Sequence, residues 1–256
     1  MLALGIDIGG SGVKGAPVDT DTGEPTAERF RLETPRPAAP KAVAEVVGEV
    51  AAHFEWTGPV GVTFPGVVMR GTIRTAANMD PEPDWIGVDA AALFGQALKI
   101  GDGQRPHVLN DADAAGVAEM AHGVGRGRDG VVLMLTFGTG IGSALFLDGK
   151  LVPNTEFGHL EMRGKDAEDR AAARIKDEKE LSWEKWAERV QEYLTLVEKL
   201  LSPELIIVGG GVSKHADKFL PFLTTHAEVV GAQLANNAGI VGAAMAASSV
   251  SQDLNS

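Results

Sequence analysis

Two carboxylates, a histidine and repeated glycine turns mark where this chain could do chemistry. Glu156 and His159 stand three residues apart in "PNTEFGHLEM", a spacing that brings both side chains to one side of a turn or short helix. Just upstream, "LTFGTGIGSALF" sets Gly138, Thr139 and Gly140 between two apolar runs. Such a turn has two readings. The glycines can simply close a tight hairpin, or they can let backbone amides approach an anion while Glu156 and His159 hold something beside it. The same device occurs near the start of the chain, where "DIGGSGVKG" places Gly9, Gly10 and Gly12 after Asp7. It leads into a second strand rather than a helix, unlike the dinucleotide fingerprint, and it lacks the glycine-lysine-serine/threonine end of a P-loop. Asp7, at the strand end, is placed to orient a hydrated magnesium ion, which takes few direct carboxylates. In "LNDADAAG", Asn110 and Asp111 fall at a strand-to-helix junction. The residue types alone favour Asp111 as a helix cap with Asp113 as its exposed neighbour; a proton-accepting role is the alternative.

These residues need rigid mounts, and the hydrophobic pattern supplies them. "LALGIDIGG" and "GVKGAPVD" read as a strand and its hairpin partner, with "RFRLETP" as a third strand. "PKAVAEVVGEVAAHFEW" is a helix with Val43, Val46, Val47, Val50 and Phe54 on one stripe. "GPVGVTFPG" and "HVLN" return to strands, and "DADAAGVAEMAHG" opens a helix at an acidic N-terminus. The order then recurs. "VVLMLTFGTGIGSALFLDG" is again strand, glycine turn and strand, followed by a long helix carrying Trp186, Val190, Tyr193, Val197 and Leu200. Ser182 is its expected N-cap. "PELIIVGGGVS" gives a further strand with a glycine-rich end, "NAGIVGAAMAAS" a small-residue final helix, and "SVSQDLNS" a frayed tail. The charge-dense "DAEDRAAARIKDEKELSWEKW" reads as a solvated helical face, with a mobile lid as the alternative. A duplicated α/β architecture with a cleft between the halves fits this order.

Composition narrows the function class. The chain has 256 residues, 44% hydrophobic and 23% charged, the balance of a globular protein of one large or two modest domains. No apolar run reaches the roughly 20 residues that span a bilayer, and "MLALGIDIGG" lacks the pattern of a secretory signal. No membrane partner is expected, and the cytoplasm is the natural compartment. A formal net charge of −12 argues against nucleic-acid binding. With no cysteine, disulfides, thiol catalysis and thiolate zinc sites are excluded.

Taken in order, "GIDIGGSGVKG", "VTFPGVV", "TAANMD", "LNDADAAG", "LTFGTGIGSALF", "PNTEFGHLEM", "VGGGVS" and "AGIVGAAM" resemble the ROK family of sugar kinases, within the actin–hexokinase superfamily. The resemblance runs from about residue 4 to about residue 247, and within the family it is to polyphosphate glucokinases, including glucomannokinases. It implies two ribonuclease-H-like α/β lobes closing on a sugar: residues 1–110, residues 111–240, and a C-terminal helix and tail, 241–256, packing back on the first lobe. It implies phosphorylation of glucose at the 6-hydroxyl, with inorganic polyphosphate and ATP as donors, magnesium as cofactor, and a homodimer. Many ROK proteins carry a cysteine-rich zinc loop after the glycine-histidine pair; its absence here implies that no zinc is used.

The resemblance also assigns residues. Asp111 becomes the base for the 6-hydroxyl, and Asn78, Asn110, Glu156 and His159 become sugar ligands, with the Gly66 amide as a further contact. A second sugar carboxylate is expected after the glycine-histidine pair; Glu161 and Glu168 both qualify, and Glu168 is the choice. Asp7, Gly9, Gly10, Ser11, Gly12 and Lys14 would handle donor phosphates from the first half, and Thr136, Gly138, Thr139 and Gly140 from the second. Gly209, Gly210 and Gly211 form the family's wall for the rest of a nucleotide. A polyphosphate chain needs a run of cations instead, for which Arg126, Arg128, Lys165, Lys214 and Lys218 are candidates. The rival readings are an ATP-dependent ROK kinase for mannose, fructose or an acetylated amino sugar, and a ROK transcriptional repressor. The repressors carry a helix-turn-helix before the first glycine turn, whereas here the first strand begins at residue 2 or 3.

Overall fold

The computed structural model of the chain describes residues 1–99 and 105–253. It separates into two compact units, Met1–Ala118 together with the segment beginning at Asn237, and Glu119–Asn236. In the first, β1 (Leu2–Gly9) and β2 (Gly12–Asp19) form an antiparallel hairpin from Leu2↔Asp19 to Gly9↔Gly12. β3 (Glu24–Pro25) and β4 (Phe30–Leu32) both pair with β2. α1 (Pro40–His53) opens on proline, whose missing N–H costs nothing in a first helical turn. β5 (Val60–Phe64) then pairs parallel to β1. A small hairpin, β6 (Val68–Met69) with β7 (Thr72–Ile73), precedes α2 (Ala90–Ala97), which Asp89 caps through Ala92 N. β8 (His107–Asn110) pairs parallel to β5 and runs directly into α3 (Asp111–His122).

The second unit repeats the scheme. β9 (Val131–Phe137), β10 (Ile141–Leu147) and β11 (Lys150–Val152) make an antiparallel meander. α4 (Glu168–Ala171) and α5 (Ala173–Glu178) are short, and α6 (Trp183–Leu201) is long. β12 (Leu205–Gly209) pairs parallel to β9, and β13 (Glu228–Gly231) parallel to β12. The strand orders are β3-β2-β1-β5-β8 and β11-β10-β9-β12-β13, the same arrangement twice: a meander, then two parallel strands beside its first strand. The duplication read from the motifs is therefore a duplication of topology.

Each sheet buries a core set by the two-residue alternation of its strands. Leu4, Ile6 and Ile8 join Val43, Val47 and Val50 of α1 and Phe94 of α2 in one cluster. Leu133, Leu135 and Phe137 join Trp186, Val190, Tyr193, Leu194 and Val197 of α6 in the other. Ser182 caps α6, its Oγ accepting from Lys185 N at 3.2 Å. The expected stripe fails only at its end, where Leu200 is 56% exposed and Leu201 packs on the core instead. At 3.6 residues per turn the buried face after Val197 drifts between those two positions, and the chain uses the second. The charge-dense segment is not one solvated face. Ala167, Ala171, Ala172 and Ile175 are buried along it.

The last helix, α7 (Ala238–Asp253), returns to the first unit. It runs through Asp253, so the expected fraying from Ser249 does not occur up to that residue; residues 254–256 lie outside the described part. On the face of β1 opposite α1, a methyl group at Gly5 would strike the carbonyl oxygen of Ile240, and one at Gly61 of β5 the carbonyl oxygen of Ala243. Helix backbone and sheet backbone touch there, which no side chain permits. Among the described residues no helix is long and apolar enough to cross a membrane. Gly61→Ala is expected to lower the stability of the fold by about 3 kcal/mol, because neither backbone can move aside cheaply. Chemical denaturation of the purified variant checks this.

Candidate functional site

In the first unit, the chemistry-bearing residues collect at the carboxyl ends of the parallel strands, where open α/β sheets present their ligand sites. Asp7 of β1 is paired in register with Thr63 of β5, and Asn110 ends β8 opposite Phe64. The Asp7 carboxylate is fixed from two sides: Oδ1 accepts from Thr63 Oγ1 at 2.6 Å, and Oδ2 pairs with Lys14 Nζ at 2.9 Å. Thr63 is fully buried and its Oγ1 also accepts from Ile8 N. In the turn that follows, Thr34 Oγ1 donates to Gly9 O at 2.5 Å and Arg31 Nη2 to Ser11 O at 2.7 Å. Gly10 lies against Asn78, which has left-handed backbone (φ 60°), tolerable for asparagine; a methyl group at Gly10 would come within 3.0 Å of it.

Helix capping in "LNDADAAG" falls chiefly to Asn110, not Asp111. Asn110 is buried, its Oδ1 accepts from Ala112 N (2.8 Å) and Asp113 N (3.0 Å), and its Nδ2 donates to Gly66 O at 3.1 Å. That leaves Asn110 one N–H to offer a ligand. Asp111, half-buried, accepts from Ala112 N through Oδ1 at 2.8 Å. Asp113 is not an exposed neighbour; it is 2% exposed. The Gly66 N–H, expected to reach a sugar, donates instead to Phe64 O at 2.9 Å. Gly66 serves through its carbonyl, which orients the Asn110 amide.

In the second unit, the turn after β9 is anchored by Phe137, packed edge-on against Trp186 (5.7 Å) and Tyr193 (6.3 Å). Two of its carbonyls are tied to one residue: Arg174 N donates to Gly138 O at 3.1 Å, and Arg174 Nε donates to Thr139 O at 2.6 Å. Arg174 is itself paired with Asp169 at 2.6 Å. The Gly209–Gly211 turn lies at the same sheet end, with Gly209 in register with Thr136, and Gly210 (φ 79°) packed against Phe137 O.

Glu168 joins this turn to "EFGH". Its Oε2 accepts from Ile141 N at 3.1 Å, and it lies so close to Gly140 and Gly158 that a methyl group at either would approach it within 2.5 and 3.2 Å. Glu161 is exposed, in a lone antiparallel bridge to Asp166. Of the two acids that qualified by position, only Glu168 is brought to the cluster. Ser143 of β10, 1% exposed, ties down the approach to Glu156 by accepting from Phe157 N at 3.0 Å and donating to Thr155 O at 2.7 Å. His159 Nδ1 lies 2.8 Å from Asp166 Oδ2, and its Nε2 lies 3.8 Å from Glu156 Oε2.

The charges agree with that geometry. Burial pushes the Glu156 carboxyl up; His159 opposes the shift and Glu168 adds to it. The hydrogen bond to Asp166 raises His159 above its ordinary value, burial works the other way, and the carboxylates of Glu168, Glu156 and Asp166 raise it further.

The acid–histidine cluster thus lies beside one glycine turn and the fixed aspartate beside another, and the model of the ROK family matches residues 3–174. The chain belongs to the ROK family. It is 52% identical over 243 residues to the polyphosphate glucokinase of Mycobacterium tuberculosis, covering 95% of this chain and 90% of that one. Its structure is similar to that of the inorganic polyphosphate/ATP-glucomannokinase from Arthrobacter sp. strain KM, with a TM-score of 0.90 and 47% identity over 98% of this chain and 99% of the other. A ROK family glucokinase from Streptomyces griseus shares the fold at a TM-score of 0.80 and 24% identity, over 97% and 100% of the two chains.

Within this ROK framework, sequence reasoning missed Thr63, Thr34, Arg31, Ser143, Arg174 and Asp166. Each acts on a turn or ligand residue from elsewhere in the fold. Arg174 had a visible signal, as a cation in the charge-dense segment after the glycine-histidine pair, but nothing in its spacing tied it to Gly138. The pH dependence of stability tests the electrostatics. A folded pKa raised above the unfolded value gives stability that is fully present below the unfolded pKa and is lost as pH rises through the folded one. His159 is such a group, so the melting temperature of the wild type should exceed that of His159→Gln most at pH 6. The gap should narrow as pH is raised to 9, as thermal scans across that range would show.

Proposed function

We propose that this chain transfers a phosphoryl group from inorganic polyphosphate, and also from ATP, to the 6-hydroxyl of glucose, giving glucose 6-phosphate. The observation that carries this reading is the 52% identity, over 95% of the chain, to a protein named as polyphosphate glucokinase. The similarity to a polyphosphate/ATP-glucomannokinase supports the dual donor and makes mannose the second acceptor to test. The enzyme acts in the cytoplasm as a homodimer, and nucleic acid and membrane take no part.

Phosphoryl transfer asks the protein to position, to neutralise charge and to accept one proton. Asp111 takes the 6-hydroxyl proton. Its mount is rigid because Asn110 bridges the helix start and Gly66. The second N–H of Asn110, with Asn78, Glu156, His159 and Glu168, binds sugar hydroxyls, the carboxylates accepting and the amides donating. The terminal phosphoryl group of either donor is held by the Gly9–Gly12 turn, with Ser11, and by the Thr136–Gly140 turn. Gly209, Gly210 and Gly211 bound the rest of a nucleotide. Lys14 holds Asp7 in place and adds positive charge beside the first turn.

A single carboxylate with its orientation set by Thr63 and Lys14 suits magnesium, which keeps most of its water and takes one or two carboxylates. Asp7 would hold it through that water shell; when bound, the ion neutralises phosphate oxygens. Zinc has no part in this reading, because the chain has no thiolate with which to build a cysteine zinc loop. Activity should need magnesium and survive a zinc-selective chelator.

A coupled assay for glucose 6-phosphate, run separately with polyphosphate and ATP, tests the function; no turnover with polyphosphate refutes it. Asp111→Asn should keep glucose affinity and lower turnover by about two to four orders of magnitude. Polymer specificity rests on cations beyond the turns. Arg126, Lys165, Lys214 and Lys218 are exposed, while Arg128 is already paired with Glu228 at 2.7 Å. The Michaelis constant for long polyphosphate should therefore rise with salt more steeply than that for ATP, by analogy with counterion release from nucleic acids. Arg126→Ala with Lys165→Ala should flatten that slope. Equal slopes for the two donors in the wild type would remove the cation track.

A further inference from the structure

We propose that Asp166 is a positioning residue for the sugar: it fixes the His159 ring so that Nε2 is presented on the Glu156 side. This rests on the assignment of His159 to glucose. The ring is 56% exposed, and its polar partners among the described residues are Asp166 at Nδ1 (2.8 Å) and Glu156 beyond Nε2 (3.8 Å). An imidazole so exposed, without a partner to hold it, would turn about its χ2 axis, a broad and shallow torsion. The Asp166 bond removes that freedom and sets the tautomer, since a carboxylate at Nδ1 leaves the proton there and frees Nε2 to accept from a hydroxyl.

The chain builds a dedicated element to bring Asp166 back to a histidine seven residues earlier. Residues 160–167 form a tight hairpin: Met162 N donates to Lys165 O at 2.7 Å, Glu161 bridges Asp166, and Ala167 N donates to Leu160 O at 2.8 Å. Both central residues have positive φ, 56° at Arg163 and 75° at Gly164, the signature of the turn that matches strand twist. Met162 and Ala167 are buried on it, 4% and 0% exposed, which anchors the hairpin in the core of α6. Its register then sets Asp166 at the histidine. The other charged groups around the ring are Glu156 on its own turn and Glu168 on α4.

The test is steady-state kinetics with glucose as the varied substrate and saturating polyphosphate. Asp166→Ala should raise the glucose KM about tenfold, the loss of one well-made hydrogen bond, with kcat within twofold and the polyphosphate KM unchanged. Asp166→Asn, whose Oδ1 accepts from the same Nδ1–H, should recover most of the loss, and Asp166→Ala should add nothing on a His159→Gln background. Imidazole 1H–15N spectra at a pH where His159 is neutral should show the Nδ1–H tautomer in the wild type and a mixture in Asp166→Ala. An unchanged glucose KM in Asp166→Ala, beside a raised one in His159→Gln, overturns the proposal and leaves the sugar assignment standing. A wild-type glucose KM in His159→Gln overturns that assignment and the proposal with it. Full additivity of the two variants, or an unaltered tautomer in Asp166→Ala, also overturns it.

Discussion

A trans peptide is planar, with its C=O and the next N–H pointing opposite ways, so whatever holds the carbonyls of a turn also aims its amides. In this protein four carbonyls of the two glycine turns are held by side chains or backbone from outside the turn. Thr34 draws back Gly9 O, Arg31 draws back Ser11 O, and Arg174 draws back both Gly138 O and Thr139 O. The N–H groups of Gly10, Thr139 and Gly140 are directed away from those donors as a consequence. The glycines do not need left-handed backbone for this, and none of Gly9, Gly10, Gly12, Gly138 or Gly140 has positive φ. What Gly10, Gly12 and Gly140 need is room, for Asn78, Arg31 and Glu168 respectively. The glycine content of these turns is set by how closely their supports approach.

The same constraint reaches into the core of the second unit. Phe137 is at once the last residue of β9 and a member of the α6 aromatic cluster, so the turn begins from a position fixed by burial. Arg174 and Glu168 then attach α5 and α4 to that turn, one through the Gly138 and Thr139 carbonyls and the other through Ile141 N. Trp186, whose Nε1 donates to Ala171 O at 3.0 Å, anchors the junction of those two helices from α6. Tyr193, buried one helical turn beyond Val190, has a hydroxyl without a hydrogen-bond partner among the described residues, and burial with the charge of Glu168 keeps that phenol protonated. The segment that looked like a solvated charged face is therefore the strut between the hydrophobic core and the acid–histidine cluster.

What the sequence disclosed follows from how each residue acts. Asp7, Glu156, His159 and the glycine turns stood out as candidates by type and local spacing, whereas the roles given to Asn110 and Asp111 needed the ordered set of motifs that resembles the ROK family. The repeated strand–turn–strand order disclosed the duplication by local pattern as well. Thr63, Thr34, Arg31 and Asp166 were not legible, because each is an ordinary polar residue whose partner is set by sheet register or by a hairpin, not by proximity in the chain. Glu161 and Glu168 could not be separated by position; the register that pairs Glu161 with Asp166 places Glu161 on the exposed side and leaves the cluster to Glu168. Asn110 and Gly66 were expected as ligands from the family resemblance, while packing also makes them supports for each other and for the helix start. Leu200 fell outside the buried stripe because the helical period is not an integer.

The chain carries a formal net charge of −12, and the cations bonded at the two turns are committed locally. Lys14 is paired with Asp7, Arg174 with Asp169, and Arg31 with a backbone carbonyl. A cation paired with a carboxylate, as Lys14 and Arg174 are, offers little net charge at long range, so under the proposed function capture of a terminal phosphoryl group would rest on peptide dipoles at contact distance. Those dipoles cannot distinguish one phosphoryl donor from another, since they see only the last phosphate. Discrimination between a polymer and a nucleotide must then arise where the donor leaves the turns. The exposed Arg126, Lys165, Lys214 and Lys218 stand on loops and a 3-10 helix of the second unit without ion-pair partners among the described residues, and the Gly209–Gly211 turn closes against Phe137. Under the proposed function grip and selectivity would thus be carried by different groups, and the glycine turns could stay fixed while surface cations vary.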